Sequence, residues 1–303
     1  MPRKKTKMPS VPAEKNLPVL PIGLKQALER LYTKMDDRYL RSDPLEYVRR
    51  YKNRGDIEIV GFIASALAYG NVRQIRNSIE AVLWRMQLGP HKFIMQTPPK
   101  KMLEIFGDFK HRFNTGRDLA CMLYFLRQAF EKHKSLEKLF VAHYNAEDTD
   151  IAPALRGFVE EMLAYDHTPF YKGKSLRKDA GVRRFFSSPK DGSACKRLNL
   201  FLRWMIRSDK LDLGVWKKIP ASKLILPLDT HNMRVSQRLG LTKRRTANWK
   251  TAADITAVFR AIDPGDPVKF DFSLARPGIL GMCRHKDCAQ CLLGKFCIGA
   301  KSS

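Results

Sequence analysis

The chain has 303 residues, enough for one large domain or two smaller ones with ample core. Its 56 Lys and Arg against 30 Asp and Glu leave a net charge of +26, a field that attracts polyanions and speeds encounter with them. Nucleic acid is therefore the expected partner, with a merely solubilising surface as the alternative, and no run of about 18 apolar residues is there to span a membrane.

The first 20 residues, beginning MPRKKTKMPSVPAEKN, are basic and lack the apolar stretch of a secretory signal, so they read as a flexible arm ahead of a helical domain over 21–303. Ile57, Val60, Ile63, Ala64 and Leu67 recur at helical spacing behind Asp56, a candidate cap. Ala68-Tyr69-Gly70-Asn71 is a tight link. A second apolar stripe follows through Val72, Ile75, Ile79, Val82, Leu83 and Met86. Helices are expected over 117–131, 135–144 and 151–165. Between 167 and 190, Lys172, Lys174, Arg177, Lys178, Arg183 and Arg184 interleave with Phe170, Tyr171, Phe185 and Phe186. That composition suits either a nucleic-acid face or a solvated loop.

Ser187 to Gly192 form a turn-rich run, and Ser193-Ala194-Cys195 lead to a helix over Lys196–Arg207 that is apolar on nearly all sides, as expected of a packed helix. A polar connector reaches Pro227-Leu228-Asp229, where Asp229 can cap the next helix and Gly240 can end it. Asp266-Pro267 opens a last helix running toward Arg276. Cys283, Cys288, Cys291 and Cys297 follow at C-x4-C-x2-C-x5-C spacing, in a chain with only two other cysteines. In a chain that reads as unsecreted, four such thiols favour a metal centre over disulfides. All-thiolate ligation suits a [4Fe–4S] cluster or structural zinc.

LDTHNMRVSQRLGL resembles the aspartate segment of the helix-hairpin-helix DNA glycosylases, such as endonuclease III, where VDTH precedes RVxxRLGL. Gly192-Ser193-Ala194-Cys195-Lys196 resembles that family's GVGxK hairpin, with Ala194 in place of the second glycine. Lys196 followed by Phe201-Leu202-Arg203 is similar to the KEASHFLR of the archaeal type of 8-oxoguanine glycosylase. The cysteine run resembles the C-x6-C-x2-C-x5-C ending of endonuclease III and adenine glycosylase, with a shorter first gap. The stretch around Ser65 and Ala66 is loosely similar to the helix and turn that face DNA in this family.

The resemblance implies a two-lobed, all-α glycosylase-like fold with a C-terminal cluster loop, and a base-excision enzyme acting on duplex DNA with one nucleotide turned out. Lys196 then takes the role of nucleophile and Asp229 that of the carboxylate stabilising a sugar cation. Iron is favoured over zinc at the four cysteines. Gly192, Ser193, Ala194 and Arg197 would meet a DNA phosphate, and the Tyr69-Gly70-Asn71 turn would face the DNA, with Tyr69 or Asn71 filling the gap left by the extracted base. A lysine amine attacks only when neutral, so such a site must favour the uncharged amine by burial or neighbouring positive charge. Attack at the sugar C1′ gives a Schiff base, the route to a bifunctional glycosylase and lyase, with an oxidised purine as the favoured lesion. A monomer in the cytoplasm, associated with the nucleoid, is the expected setting. Lys196 and Asp229 stand further apart in sequence than their counterparts in endonuclease III, so the connector is expected to loop out. Two rivals keep the fold or the metal without the chemistry: a catalytically silent nucleic-acid-binding protein and a zinc-stabilised RNA-binding protein. His231 is expected to be a hydrogen-bonded structural histidine.

Overall fold

A computed structural model describes residues 17–87, 89–279, 281, 288 and 291–298. The helices are α1 (Leu24–Lys34), α2 (Leu45–Val48), α3 (Arg54–Ala66), α4 (Val72–Arg85), α5 (Pro90–Gln96), α6 (Pro99–Phe106) and α7 (Gly116–His133). They continue as α8 (Leu136–Val141), α9 (Ala152–Met162), α10 (Lys196–Ile206), α11 (Thr230–Arg238), α12 (Trp249–Ile262) and α13 (Asp271–Ile279). Among the described residues the sheet content is one small hairpin, β1 (Lys110–His111) against β2 (Asn114–Thr115). The chain is thus all-α in character, as its periodicity requires. Two compact units divide it. Unit 1 comprises Met1–Met35, Pro189–Lys196 and Leu224–Ser303, and unit 2 comprises Asp36–Ser188 and Arg197–Lys223.

Unit 2 is built around α3. Its residues from Ile57 to Ala66 are all buried, so a helix expected to show one apolar stripe is enclosed on every side. The Phe62 ring meets Phe158, Phe186 and Phe201 at centroid distances of 6.4, 5.5 and 5.4 Å. Each such ring, withdrawn from water, contributes about 2 kcal/mol before entropy is counted. The cap of α3 is Asn53, whose Oδ1 accepts from the Gly55 and Asp56 amides at 2.8 and 3.4 Å. Asp56, the expected cap, instead accepts from the His91 amide at 2.7 Å. The helix therefore starts one turn earlier than its first apolar residue suggests.

The connector after α10 does not loop out. Trp216 donates its amide to the Met205 carbonyl at 2.7 Å, and its ring packs on Phe201 and Phe140. Its indole N–H donates to the fully buried Glu58 at 2.8 Å. Arg49 donates to the carbonyls of Lys210 and Leu211 at 3.0 and 2.6 Å, and Glu137 accepts from the Lys217 and Lys218 amides at 2.6 and 3.1 Å. Within the turn, Asp212 is enclosed by Arg203 and Arg207 at 3.1 and 2.8 Å, and Arg207 also pairs with Asp209 at 2.7 Å. Polar side chains on distant helices hold a segment whose composition reads as a solvated link.

The aromatic residues between 167 and 190 are likewise structural. Phe170, Phe185 and Phe186 are buried, and Tyr171 donates its hydroxyl to Asp118. They anchor the segment, while Lys172, Lys174, Arg177, Lys178 and Arg184 stay exposed.

Unit 1 packs α13 against α11 and α1. Tyr32 of α1 meets Phe270 edge-on at 6.4 Å, and Lys269 bridges to Glu29 at 2.8 Å. Phe259 of α12 stacks obliquely on the same Phe270 ring at 5.9 Å. The last helix begins at Asp271 rather than at Pro267, because residues 267–270 form a separate turn ahead of it. Helix α11 ends as expected. Gly240 has φ 71°, its amide reaches the Gln237 carbonyl at 3.1 Å, and the Leu241 amide reaches the Ser236 carbonyl at 2.9 Å. That pair of bonds satisfies the last free carbonyls of the helix.

Candidate nucleic-acid interface

The division between the units falls between Lys196 and Arg197, so the residues singled out in the sequence sort into two groups. Lys196 and Asp229 belong to unit 1 together with Gly192, Ser193 and Ala194. Tyr69, Gly70, Asn71 and Arg197 belong to unit 2.

In unit 1 the hairpin leaves a short 3-10 turn at Pro189–Asp191, so the element ahead of it is a single turn and not a full helix. Gly192 takes φ 73° and Cys195 φ 47° before α10 opens at Lys196. Gly192 is exposed, with open space where a side chain would stand, whereas Ala194 and Cys195 are buried. The turn is tied to the start of α12. Ser193 pairs with Asn248, and the Gly192 carbonyl accepts from the Trp249 amide at 3.1 Å. Lys196 is half-buried at the head of its helix.

Asp229 stands at the head of α11. Its Oδ1 accepts from the His231 and Asn232 amides at 2.9 and 2.8 Å, the cap its position suggests. The next turn is fixed from below, where Asn232 donates to Asp271 at 2.5 Å. His231 departs from expectation: its Nδ1 is buried with no hydrogen-bond partner among the described residues, against Gly278. The amine of Lys196, the first residue of α10, and the carboxylate of Asp229 thus belong to one compact unit.

Sequence reading passed over the cations beside this hairpin. Lys243, Arg245 and Lys250 are exposed, and Arg244 is held to Asp254 at 2.5 Å. Lys243, Arg244 and Lys250 line a groove of about 830 Å³ together with Pro18 and Asp254. The Lys-Arg-Arg triplet just past Gly240 was the available signal. The Ser193–Asn248 pairing brings the start of α12, where Lys250 lies, to the Gly192 turn, and no local pattern announces it.

In unit 2, Tyr69 is fixed rather than free. Its hydroxyl lies 2.9 Å from the His111 carbonyl and 2.7 Å from Asn114 Oδ1, and its ring sits edge-on to His111 at 4.6 Å. The Arg197 guanidinium lies 4.8 Å from the Tyr69 ring centroid, and it donates to the carbonyls of Ala66, at 2.9 Å, and Arg184. Burial pushes the Tyr69 phenol above its ordinary value, against the pull of Arg197, Arg112 and Arg184. Asn71 caps α4, accepting from the Arg73 amide at 2.9 Å. Gly70 has φ 104°, so the backbone favours glycine, and a Cβ there would stand 2.9 Å from the flexible side chain of Arg112 at Cδ.

Of the four clustered cysteines, Cys283 lies outside the described residues. Cys288, Cys291 and Cys297 are half-buried on a succession of tight turns. The Cys291 amide meets the Cys288 carbonyl at 3.3 Å, and the Gly294 amide meets the Cys291 carbonyl at 2.8 Å. A Cβ at Gly294 would come within 1.8 Å of the Cys288 carbonyl oxygen, so the backbone closes on itself there. The segment is tied to the end of α11 by the Ile298 amide on the Arg238 carbonyl at 2.6 Å. Among the described residues no three His, Cys, Asp or Glu side chains gather as a metal-holding group. In kind, a donor set of thiols on such turns fits an iron–sulfur or zinc centre.

Fold and candidate site together define a strongly basic, all-α protein of two compact units, with no described helix long and apolar enough to cross a membrane. The model of the family described as "Protein of unknown function (DUF2400)" matches residues 43–280, and the chain belongs to that family. No curated protein and no solved structure matches it.

Proposed function

We propose that the chain is a DNA base-excision enzyme of helix-hairpin-helix type, releasing a damaged base through Lys196 and Asp229. One observation carries the reading. Lys196, the first residue of α10 and directly behind the Gly192–Cys195 turn, belongs to the same compact unit as Asp229, the cap of α11. Helix N-termini and turn amides are suited to hold a phosphate, which would seat the duplex backbone by the hairpin. The exposed Lys243, Arg245 and Lys250 extend that attraction along the strand.

In this reading the neutral Lys196 amine attacks the sugar C1′ of a nucleotide turned out of the duplex. The bond from C1′ to the base breaks, and the base leaves with the electron pair and gains a proton. Asp229 stabilises the positive charge that develops on the sugar and takes the proton shed by the lysine nitrogen. Ring opening gives a Schiff base, from which loss of the 3′ phosphate by β-elimination nicks the strand. Cys283, Cys288, Cys291 and Cys297 would hold a [4Fe–4S] cluster, which when bound cross-links the C-terminal turns to one another.

Borohydride reduction of the full chain mixed with duplexes carrying single oxidised purines tests the chemistry. A covalent complex is expected with the native chain and none with Lys196→Gln. If native and variant chains both bind the duplex and neither is trapped, the catalytically silent binder is correct; Ala194, standing where the family pattern has glycine, favours that reading. Iron and sulfide assayed on the same preparation should give about four of each per chain. Zinc in their place would overturn the cluster and favour a zinc-stabilised RNA-binding protein.

A further inference from the structure

The hairpin β1–β2 carries its two turn residues, Arg112 and Phe113, on a rigid base. Its inner pair, His111 and Asn114, is fully buried. His111 Nδ1 lies 2.8 Å from the Ser78 hydroxyl and Nε2 lies 3.1 Å from the Tyr69 carbonyl. Burial holds this histidine below its ordinary pKa, so it is the neutral ring that makes both bonds. Asn114 donates to the Gly181 carbonyl at 3.0 Å and accepts from the Tyr69 hydroxyl. The tip therefore cannot shift without breaking bonds in the core of unit 2.

What this base presents is not what folding alone selects. Arg112 has φ 51°, a conformation in which a two-residue turn ordinarily uses Gly, Asn or Asp. Phe113 is 65% exposed, a large ring left in water at the end of a hairpin. The Arg112 guanidinium lies 5.4 Å from the ring centroid, and Arg184 donates to the Phe113 carbonyl at 3.2 Å. Lys110, Arg112 and Arg184 are all exposed, and none has a carboxylate within 4.0 Å among the described residues. The turn at Gly70 lies against this tip, the Arg112 side chain passing 2.9 Å from where a Cβ of residue 70 would stand.

We propose that the Arg112-Phe113 tip is a nucleobase-stacking site, with Phe113 lying on a base laid open at a break in a duplex and Arg112 and Arg184 meeting the adjoining phosphates. The ligand is identified by its two chemistries together. A pre-positioned ring wants a flat, apolar face, and cations lacking acids want a polyanion; exposed bases on a phosphate backbone offer both. An acidic protein surface would answer the cations and leave the ring without a partner. The inference rests on the DNA reading above and adds to it the residue that contacts the opened strand.

The test uses the full chain and a duplex with a tetrahydrofuran abasic analogue opposite 2-aminopurine, compared with the same duplex without the lesion. Binding is followed by anisotropy and stacking by quenching of the 2-aminopurine. With the native chain, quenching is expected at the lesion. Phe113→Ala should weaken lesion binding about 5- to 100-fold and lose the quenching, while Phe113→Trp keeps both. Arg112→Gly relieves the backbone, so it should raise the melting temperature while weakening binding, a combination that a purely structural tip cannot produce. If Phe113→Ala binds and quenches like the native chain, the stacking site is wrong although the DNA reading stands. If the native chain binds neither duplex, both fall together. A native chain that is never trapped by borohydride but quenches through Phe113 removes the enzyme and leaves the stacking site.

Discussion

The two units place their acids differently. Unit 2 buries acids and turns them into fasteners: Glu58 for the Trp216 indole, Glu137 for two connector amides, and Asp212 for Arg203 and Arg207. Unit 1 sets two of its acids at helix heads, Asp229 capping α11 and Asp271 opening α13, where it accepts from Asn232. The lesson is that the +26 excess belongs to the surface. The acids that might have offset it locally are drawn inward in unit 2, which leaves Lys110, Arg112 and Arg184 without carboxylate partners among the described residues.

This contrast breaks first at Asp212. Asp212→Ala removes the buried carboxylate that the nearly enclosed Arg203 and Arg207 share, and a loss of about 3–5 kcal/mol in a urea melt is expected, as removal of one partner of a buried pair usually brings. A loss below about 1 kcal/mol would mean that the connector is fastened by its apolar residues alone.

Acid titration sharpens the comparison less drastically. Burial opposes ionisation of Glu161, but hydrogen bonds from Lys132, His133 and His143 outweigh it and hold the carboxyl at about 2. A depressed carboxyl stabilises above its unfolded value and ceases to do so as pH falls through the folded one. Stability linked to this group is therefore complete above about pH 4.5 and lost toward about pH 2, by ~2 kcal/mol once the exposed Lys132 is discounted. Glu161→Gln should flatten that limb of the pH–stability curve; an unchanged limb would place the acid sensitivity elsewhere.

The smallest effect is expected in unit 1. Asp229→Ala removes the cap of α11 and should cost about 1 kcal/mol, whereas Asp229→Asn caps nearly as well and should cost almost nothing. Because the asparagine cannot carry a negative charge, the same variant should suppress base release. Equal melting curves for the two variants would show that the cap contributes nothing to this helix.

What the sequence made legible were features closed within a few residues. Asp229 before its helix, Gly240 after it, and α10 between Lys196 and Ile206 all rest on local backbone chemistry. The connector was misread because its burial is set by Glu58, Glu137 and Arg49, more than 70 residues away in sequence. The aromatics from Phe170 to Phe186 were misread for a related reason: composition cannot distinguish a ring that anchors a loop from one that faces solvent. The exposure of Phe113 is not legible in sequence, because two-residue strands are too short to show a period. Of the candidate site, the helix heads were readable, whereas their neighbours Lys243, Arg245 and Lys250 came into view only through the Ser193–Asn248 pairing.

Unit 1 is assembled from three separate stretches of chain, and this sets an order on synthesis. Leu24, Leu28 and Leu31 of α1 leave the ribosome more than 200 residues before α13, against which that helix packs. All of unit 2 has been translated by residue 223, so it is free to fold while the apolar side of α1 still waits for its cover. A nascent chain halted before Asp271 would therefore display that side to water, and a chaperone would find it there.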